Sequence, residues 1–67
     1  MSDVETLKAE VKKLSAKAMQ AKMDLHDLSE ELPVGVENVI VTAERVRDAY
    51  AALSDKRAEL KALEAAA

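Results

Sequence analysis

Sixty-seven residues with no cysteine, no Phe, no Trp and a single tyrosine, Tyr50, exclude a disulfide scaffold, a thiolate metal site and a core built on aromatic rings. A chain this short buries only ~60% of its unfolded surface, so it is marginal unless it is metal-bound or oligomeric. The net charge of −3, with no basic stripe, argues against nucleic acid as a partner.

What remains is 49% apolar and 34% charged and is dominated by Ala, Glu, Lys, Leu and Val, the composition of long amphipathic helices or coiled coils. No apolar run approaches the ~18 residues of a membrane span, and Met1-Ser2-Asp3-Val4-Glu5 does not have the form of a signal peptide. The expectation is a soluble cytoplasmic protein with no membrane contact.

Ser2 followed three residues later by Glu5 has the form of a capping box, in which hydroxyl and carboxylate each satisfy a backbone N–H at a helix start. From there the apolar positions run Val4, Leu7, Val11, Leu14, Ala18, Ala21, Leu25, Leu28 and Leu32, in steps that alternate three and four. That alternation holds a and d positions on one seam and implies a coiled-coil-like partner helix. Ala9, Ala16, Met19, Met23 and His26 form a second stripe at b and f positions, which a two-helix hairpin leaves wet and a larger assembly covers.

Pro33 disfavours helical geometry at Leu32, and Pro33-Val34-Gly35 supplies a rigid φ followed by a permissive one. A second pattern then runs Val36, Val39, Ala43, Val46, Tyr50, Leu53, Arg57 and Leu60, with Ile40 widening the stripe and the end from Leu63 expected to fray. Val39-Ile40-Val41-Thr42, β-branched throughout, could be a strand on its own, but the heptad register favours helix. Arg57, at a seam position, is expected to snorkel or to meet Glu64 or a partner's acid. The chain is therefore expected to be one all-α domain. It has a helix over about 3–32, a turn at 33–35 and a helix over about 36–64, each ~45 Å long at ~1.5 Å per residue. So short a connection makes an antiparallel hairpin. The two-sided first helix implies association into a homo-oligomeric four-helix bundle, a dimer or a tetramer.

Charge is segregated along the first helix. Lys8, Lys12, Lys13, Lys17 and Lys22 stand against Glu10, whereas Asp24, Asp27, Glu30, Glu31 and Glu37 follow with no Lys or Arg among them. Two copies of this helix laid antiparallel would place each basic half on the other's acidic half, pivoting near Met23. Such exposed pairs set orientation more than affinity.

Catalytic motifs are missing. Gly35 is the only glycine, so no phosphate-cradling loop can form. No Ser/His/Asp constellation has a scaffold to aim it, and an enzyme is not expected. Arg45, Arg47 and Arg57 fall on different faces rather than lining one anion site. His26 is the one residue with metal-ligand character. On a helix it shares a face with Glu30, and the pair could give an imidazole and a carboxylate to a divalent transition metal. Two chains meeting near a twofold axis would supply four such ligands. No other cofactor is implied.

Lys22-Met23-Asp24-Leu25-His26-Asp27-Leu28, followed by Glu30 and Leu32-Pro33, resembles a family of small helical proteins encoded among nitrogen-fixation genes of cyanobacteria and proteobacteria, the NifX-associated nitrogen fixation proteins. That family has a Lys-rich first helix, a Lys-Met-Asp-Leu-His-Asp-Leu-Ala-Glu core, a Leu-Pro break and a second helix with Val-Ala-Glu and Tyr. Here Ser29 replaces the usual Ala, Thr42-Ala43-Glu44 and Tyr50 stand where the second-helix pattern is expected, and Val46-Arg47 departs from its Lys-Thr-Tyr. The resemblance covers nearly the whole chain. It implies a two-helix hairpin that oligomerises and an accessory role in nitrogenase cofactor assembly or delivery, with cofactor-assembly or electron-transfer proteins as partners. The residues left over from packing, Met19, Met23, His26, Asp27 and Glu30, are the expected partner-binding surface, with His26 and Glu30 the candidate metal ligands.

Overall fold

The structure, a computed structural model, describes residues 3–66. It contains two α-helices of equal length, α1 (Val4–Glu31) and α2 (Val39–Ala66), joined by a turn and a short 3-10 segment, Val36–Asn38. The helices lie antiparallel in a rod of 51 × 17 × 14 Å. Val39-Ile40-Val41-Thr42 is helical, because seam contacts along α2 outweigh the modest β preference of branched side chains.

Helix α1 begins one residue later than the capping-box pattern implies. Ser2 lies outside the described residues, and the N-cap is Asp3, whose Oδ1 accepts from the Thr6 backbone N–H at 2.7 Å. A carboxylate so placed also faces the positive end of the helix dipole. The bond from the Thr6 N–H holds the Asp3 carboxyl below the ordinary aspartate value.

The a and d positions of α1 from Val4 to Leu28 are buried or half-buried, as their spacing predicts. Leu32 is the exception. Expected in the core seam, it is the C-cap of α1, with ψ 142°, and is 42% exposed, because the chain has left helical geometry before Pro33.

The seam of α2 also differs from the expected one. Val39, Val46, Leu53 and Leu60 face α1 as predicted, but Thr42, Ala49 and Lys56 complete the stripe in place of Ala43, Tyr50 and Arg57, which are exposed. The reason is steric. Ala18 is almost wholly buried with only a methyl group, which requires α2 to approach closely at that height. A tyrosine ring at that height would hold the helices apart, and the stripe that offers Ala49 instead carries Lys56 rather than Arg57. Val36 and Ile40 are likewise outside the seam, 57% and 71% exposed. Lys56 takes the seam position by running its stem between the helices to Glu10, Nζ to Oε2 at 3.0 Å, with a second contact to Glu59 at 3.4 Å. Glu10 first, then Glu59, hold the Lys56 ammonium above its usual pKa. Arg57 makes no ion pair with Glu64 among the described residues. At its far end α2 continues through Ala66, and Leu63 is half-buried as the last rung of the seam.

The turn is closed by backbone bonds from Val34 N–H to Glu31 C=O (3.0 Å), Val36 N–H to Pro33 C=O (3.2 Å) and Asn38 N–H to Gly35 C=O (2.9 Å). Gly35 has φ 78°, a left-handed conformation that side chains oppose, and a Cβ there would stand 3.0 Å from Leu28 Cδ1.

Two measurements test these local determinants. Gly35→Ala should destabilise the hairpin by about 1–2 kcal/mol, the cost of a left-handed non-glycine residue, read as a lower denaturation midpoint. Asp3→Ala should lower the melting temperature at neutral pH. Because the folded pKa of Asp3 is depressed, its contribution is complete above the unfolded value and is lost as pH falls through the folded one. The gap between wild type and Asp3→Ala should therefore close on acidification below about pH 4. A gap that stays constant to pH 2 would contradict the cap.

Candidate interaction surface

On α1, residues three and four apart share a face, so Met19, Met23, His26, Asp27 and Glu30 form one contiguous patch. All five are exposed, Met19 by 53% and Met23 by 46%. His26 and Glu30 converge, with Nε2 2.7 Å from Glu30 Oε1 and both side chains largely in solvent. Asp27 lies one residue round the helix and has no side-chain bond of its own among the described residues. Ser29 turns its hydroxyl back to the His26 carbonyl at 2.7 Å, leaving the imidazole to Glu30.

The patch runs against a local rule. The C-terminal end of a helix carries partial negative charge, yet the last turn of α1 has no basic residue and ends in Glu30-Glu31. The acidity extends past the turn. Residues 23–44 hold six acids (Asp24, Asp27, Glu30, Glu31, Glu37, Glu44) and none of the ten Lys and Arg, leaving seven acids against ten cations elsewhere. Locally unfavourable charge of this kind is expected at sites kept for recognition rather than for stability.

The structure adds residues that sequence spacing assigned to the core. Leu32, Val36, Ile40 and Tyr50 are exposed on α2 and the turn, on the flank of the seam that also carries Met19 and His26. The missed signal is the second three-four alternation in α2. Val39, Thr42, Val46, Ala49, Leu53, Lys56, Leu60 and Leu63 form as regular a stripe as the more apolar one, and only the height of Ala18 against α2 chooses between them.

The opposite flank is different. There a groove of about 420 Å³ has a floor of Leu14, Ala21, Ala49 and Ala52 and a rim of Lys17, Gln20, Asp24, Arg45 and Asp48. Gln20 donates to Asp24 at 2.9 Å, and Arg47 Nε reaches Asp48 at 2.9 Å. Asp48 thereby raises the Arg47 pKa above its usual value. Among the described residues no three His, Cys, Asp or Glu side chains converge on a common point, so one chain offers at most the His26–Glu30 pair to a metal ion.

Two antiparallel helices of equal length, one seam and a tight turn define a helical-hairpin protein. No described helix is long and apolar enough to cross a membrane. The chain belongs to the Rop-like family, whose model matches residues 2–65. It is 54% identical over 67 residues to a UPF0437 protein of Azorhizobium caulinodans, covering 100% of this chain and 97% of that one. It is 44% identical over 61 residues to a UPF0437 protein of Trichormus variabilis, covering 91% of this chain and 71% of the relative. A third relative, from Frankia alni, is a UPF0437 protein in the nifX-nifW intergenic region, 42% identical over 52 residues, covering 78% of this chain and 63% of that protein. These relatives fit the small helical family of nitrogen-fixation genes that the Lys22–Pro33 string resembles. No solved structure matches.

Proposed function

We propose that this hairpin is a non-enzymatic accessory of nitrogen fixation. It acts in the cytoplasm through protein–protein contacts during nitrogenase cofactor assembly or maturation, as a homo-oligomeric four-helix bundle. The observation that carries the reading is the exposed Met19–Met23–His26 stripe at the acidic turn end, held by a helix terminus whose own dipole opposes that charge. Methionines adapt to varied apolar surfaces, and an acidic surround selects a partner with a complementary basic rim. The intergenic position of the Frankia relative supports the nitrogen-fixation setting. Self-association is supported by the exposed apolar side chains of both helices, more than a single seam can cover.

In extracts of nitrogen-fixing cells, affinity-tagged wild type should retain cofactor-assembly proteins, and the Met23→Ala, His26→Ala double variant should retain several-fold less. Equal recovery by both would remove this surface from the reading. Light scattering at micromolar concentration should give at least twice the monomer mass of 7.3 kDa.

A second reading rests on the 2.7 Å approach of His26 to Glu30, which places an imidazole and a carboxylate where one divalent ion could engage both. Two copies would complete a four-ligand set. Calorimetry with nickel, zinc and iron(II) should then show binding well below millimolar that is lost in His26→Ala and weakens on acidification, because the ligand must be unprotonated. Binding unchanged in His26→Ala would end the reading.

A further inference from the structure

Beyond the turn-end surface proposed above, we infer that the flank carrying Met19 and Tyr50 binds an acidic amphipathic helix of a different protein. The carboxylates of that helix meet a row of lysines and arginines that only the folded hairpin assembles. No stretch of the sequence shows the row, because each helix supplies half of it, Lys8, Lys12 and Lys22 from α1 and Arg47, Arg57 and Lys61 from α2.

The Glu10–Lys56 contact sets those two residues at one height. Because the helices are antiparallel, Lys8 and Arg57 then stand level with each other within about one residue, ~1.5 Å of rise. Both lie just outside the seam on the Met19 flank, facing each other across it. Lys12 and Lys61 follow one turn further along their own helices, so four cations fall within ~10 Å of rise. Lys22 and Arg47 form a second group about 18 Å nearer the turn, with Tyr50 and Met19 between the two groups. All six cations are exposed. Asp48 holds Arg47, and the other five make no ion pair among the described residues. The acids that border the row are Glu5 and Glu64 at its open end and Glu30 at its turn end, where His26 takes it up.

Lys8 facing Arg57 with no acid between them is an unfavourable pairing within one hairpin. On the groove side of the same height the hairpin does neutralise its charge, since Glu10 reaches Lys56 there. Like charge left facing on one side alone is expected of a surface that meets a ligand of opposite sign. The break in the row selects the class of ligand. A phosphate backbone offers unbroken charge, whereas Met19 and Tyr50, 53% and 38% exposed, interrupt the cations with apolar surface. A helix with an apolar centre and acids about twelve residues apart matches both features. Arg57 adds a planar fork suited to a carboxylate. The row stops where the acidic turn end begins, at residue 23, so it shares only Met19 with the turn-end surface.

The test is fluorescence anisotropy at low salt with a labelled helical peptide of about 18 residues, glutamates near both ends and leucines at its centre. Circular dichroism and sedimentation equilibrium accompany each variant. Wild type should bind the peptide, and Lys8→Glu with Arg57→Glu should weaken binding roughly fivefold or more. Lys12→Glu with Lys61→Glu should do the same. Lys13→Glu with Lys17→Glu, matched in net charge but on the groove side, should bind as wild type does. Equal weakening by that control would reduce the effect to overall charge and overturn the site, as would a wild type that does not bind. A changed oligomeric mass in the Lys8→Glu, Arg57→Glu variant would place this flank between copies of the chain and overturn the proposal. Tighter binding of an RNA of equal charge, lost in the same variant, would overturn it in favour of nucleic acid. Tyr50 is the only aromatic residue, so its emission reports this flank directly. Unlabelled peptide should alter that emission, and an unchanged signal at saturation would place the peptide elsewhere.

Discussion

Two helices facing each other can bury only one seam, and nearly every other feature of this hairpin follows from that constraint. Leu7, Ala18 and Leu53 are its only fully buried apolar side chains among the described residues, with Thr42 beside them. The remaining seam residues are half-buried and keep a share of their surface in water. So thin a core cannot offset the conformational entropy of some sixty ordered residues with any margin. The Asp3 cap, the Gly35 turn and the Lys56 bridge add local terms to that thin core.

The small residues of the seam have consequences on both flanks. Burying Ala18 brings the helices close enough to exclude bulky groups from between them. That exclusion pushes Tyr50 to one side and admits Ala49, and the same stripe then brings Lys56 into the seam and leaves Arg57 exposed. On the other side, Ala21, Ala49 and Ala52 are too short to fill the space beside the seam, and the groove is what remains. The groove and the apolar flank are thus two results of one packing choice rather than separate inventions.

This explains which parts of the molecule were legible in the sequence. The register of α1 could be read directly, because Leu7, Val11, Leu14, Leu25 and Leu28 are large and every competing stripe is weaker. The turn was equally plain, since Pro33 and Gly35 act through backbone geometry that needs no tertiary context. In α2 two alternations share Val39, Val46, Leu53 and Leu60, and hydrophobicity favours the wrong one. Tyr50 looks more like core than Ala49, and Arg57 no less so than Lys56, until the distance between the helices is known. The convergence of His26 and Glu30 was visible as an i, i+4 pair. The groove was not, because its floor is defined by what alanine lacks and its rim joins residues more than twenty positions apart.

Charge sets the turn end of the rod apart from the rest. An acidic C-terminal turn on α1 works against its own helix dipole, and the thin core has little stability to spare for it. All ten Lys and Arg lie outside residues 23–44, so the rod has an acidic turn end and a net-basic remainder. Met19 and Met23 sit at the boundary of that segment, with Lys22 beside both and Asp27 one turn beyond, and no further lysine or arginine follows until Arg45. Charge kept against a helix's own dipole adds no stability, and its place at the turn end fits recognition better than folding.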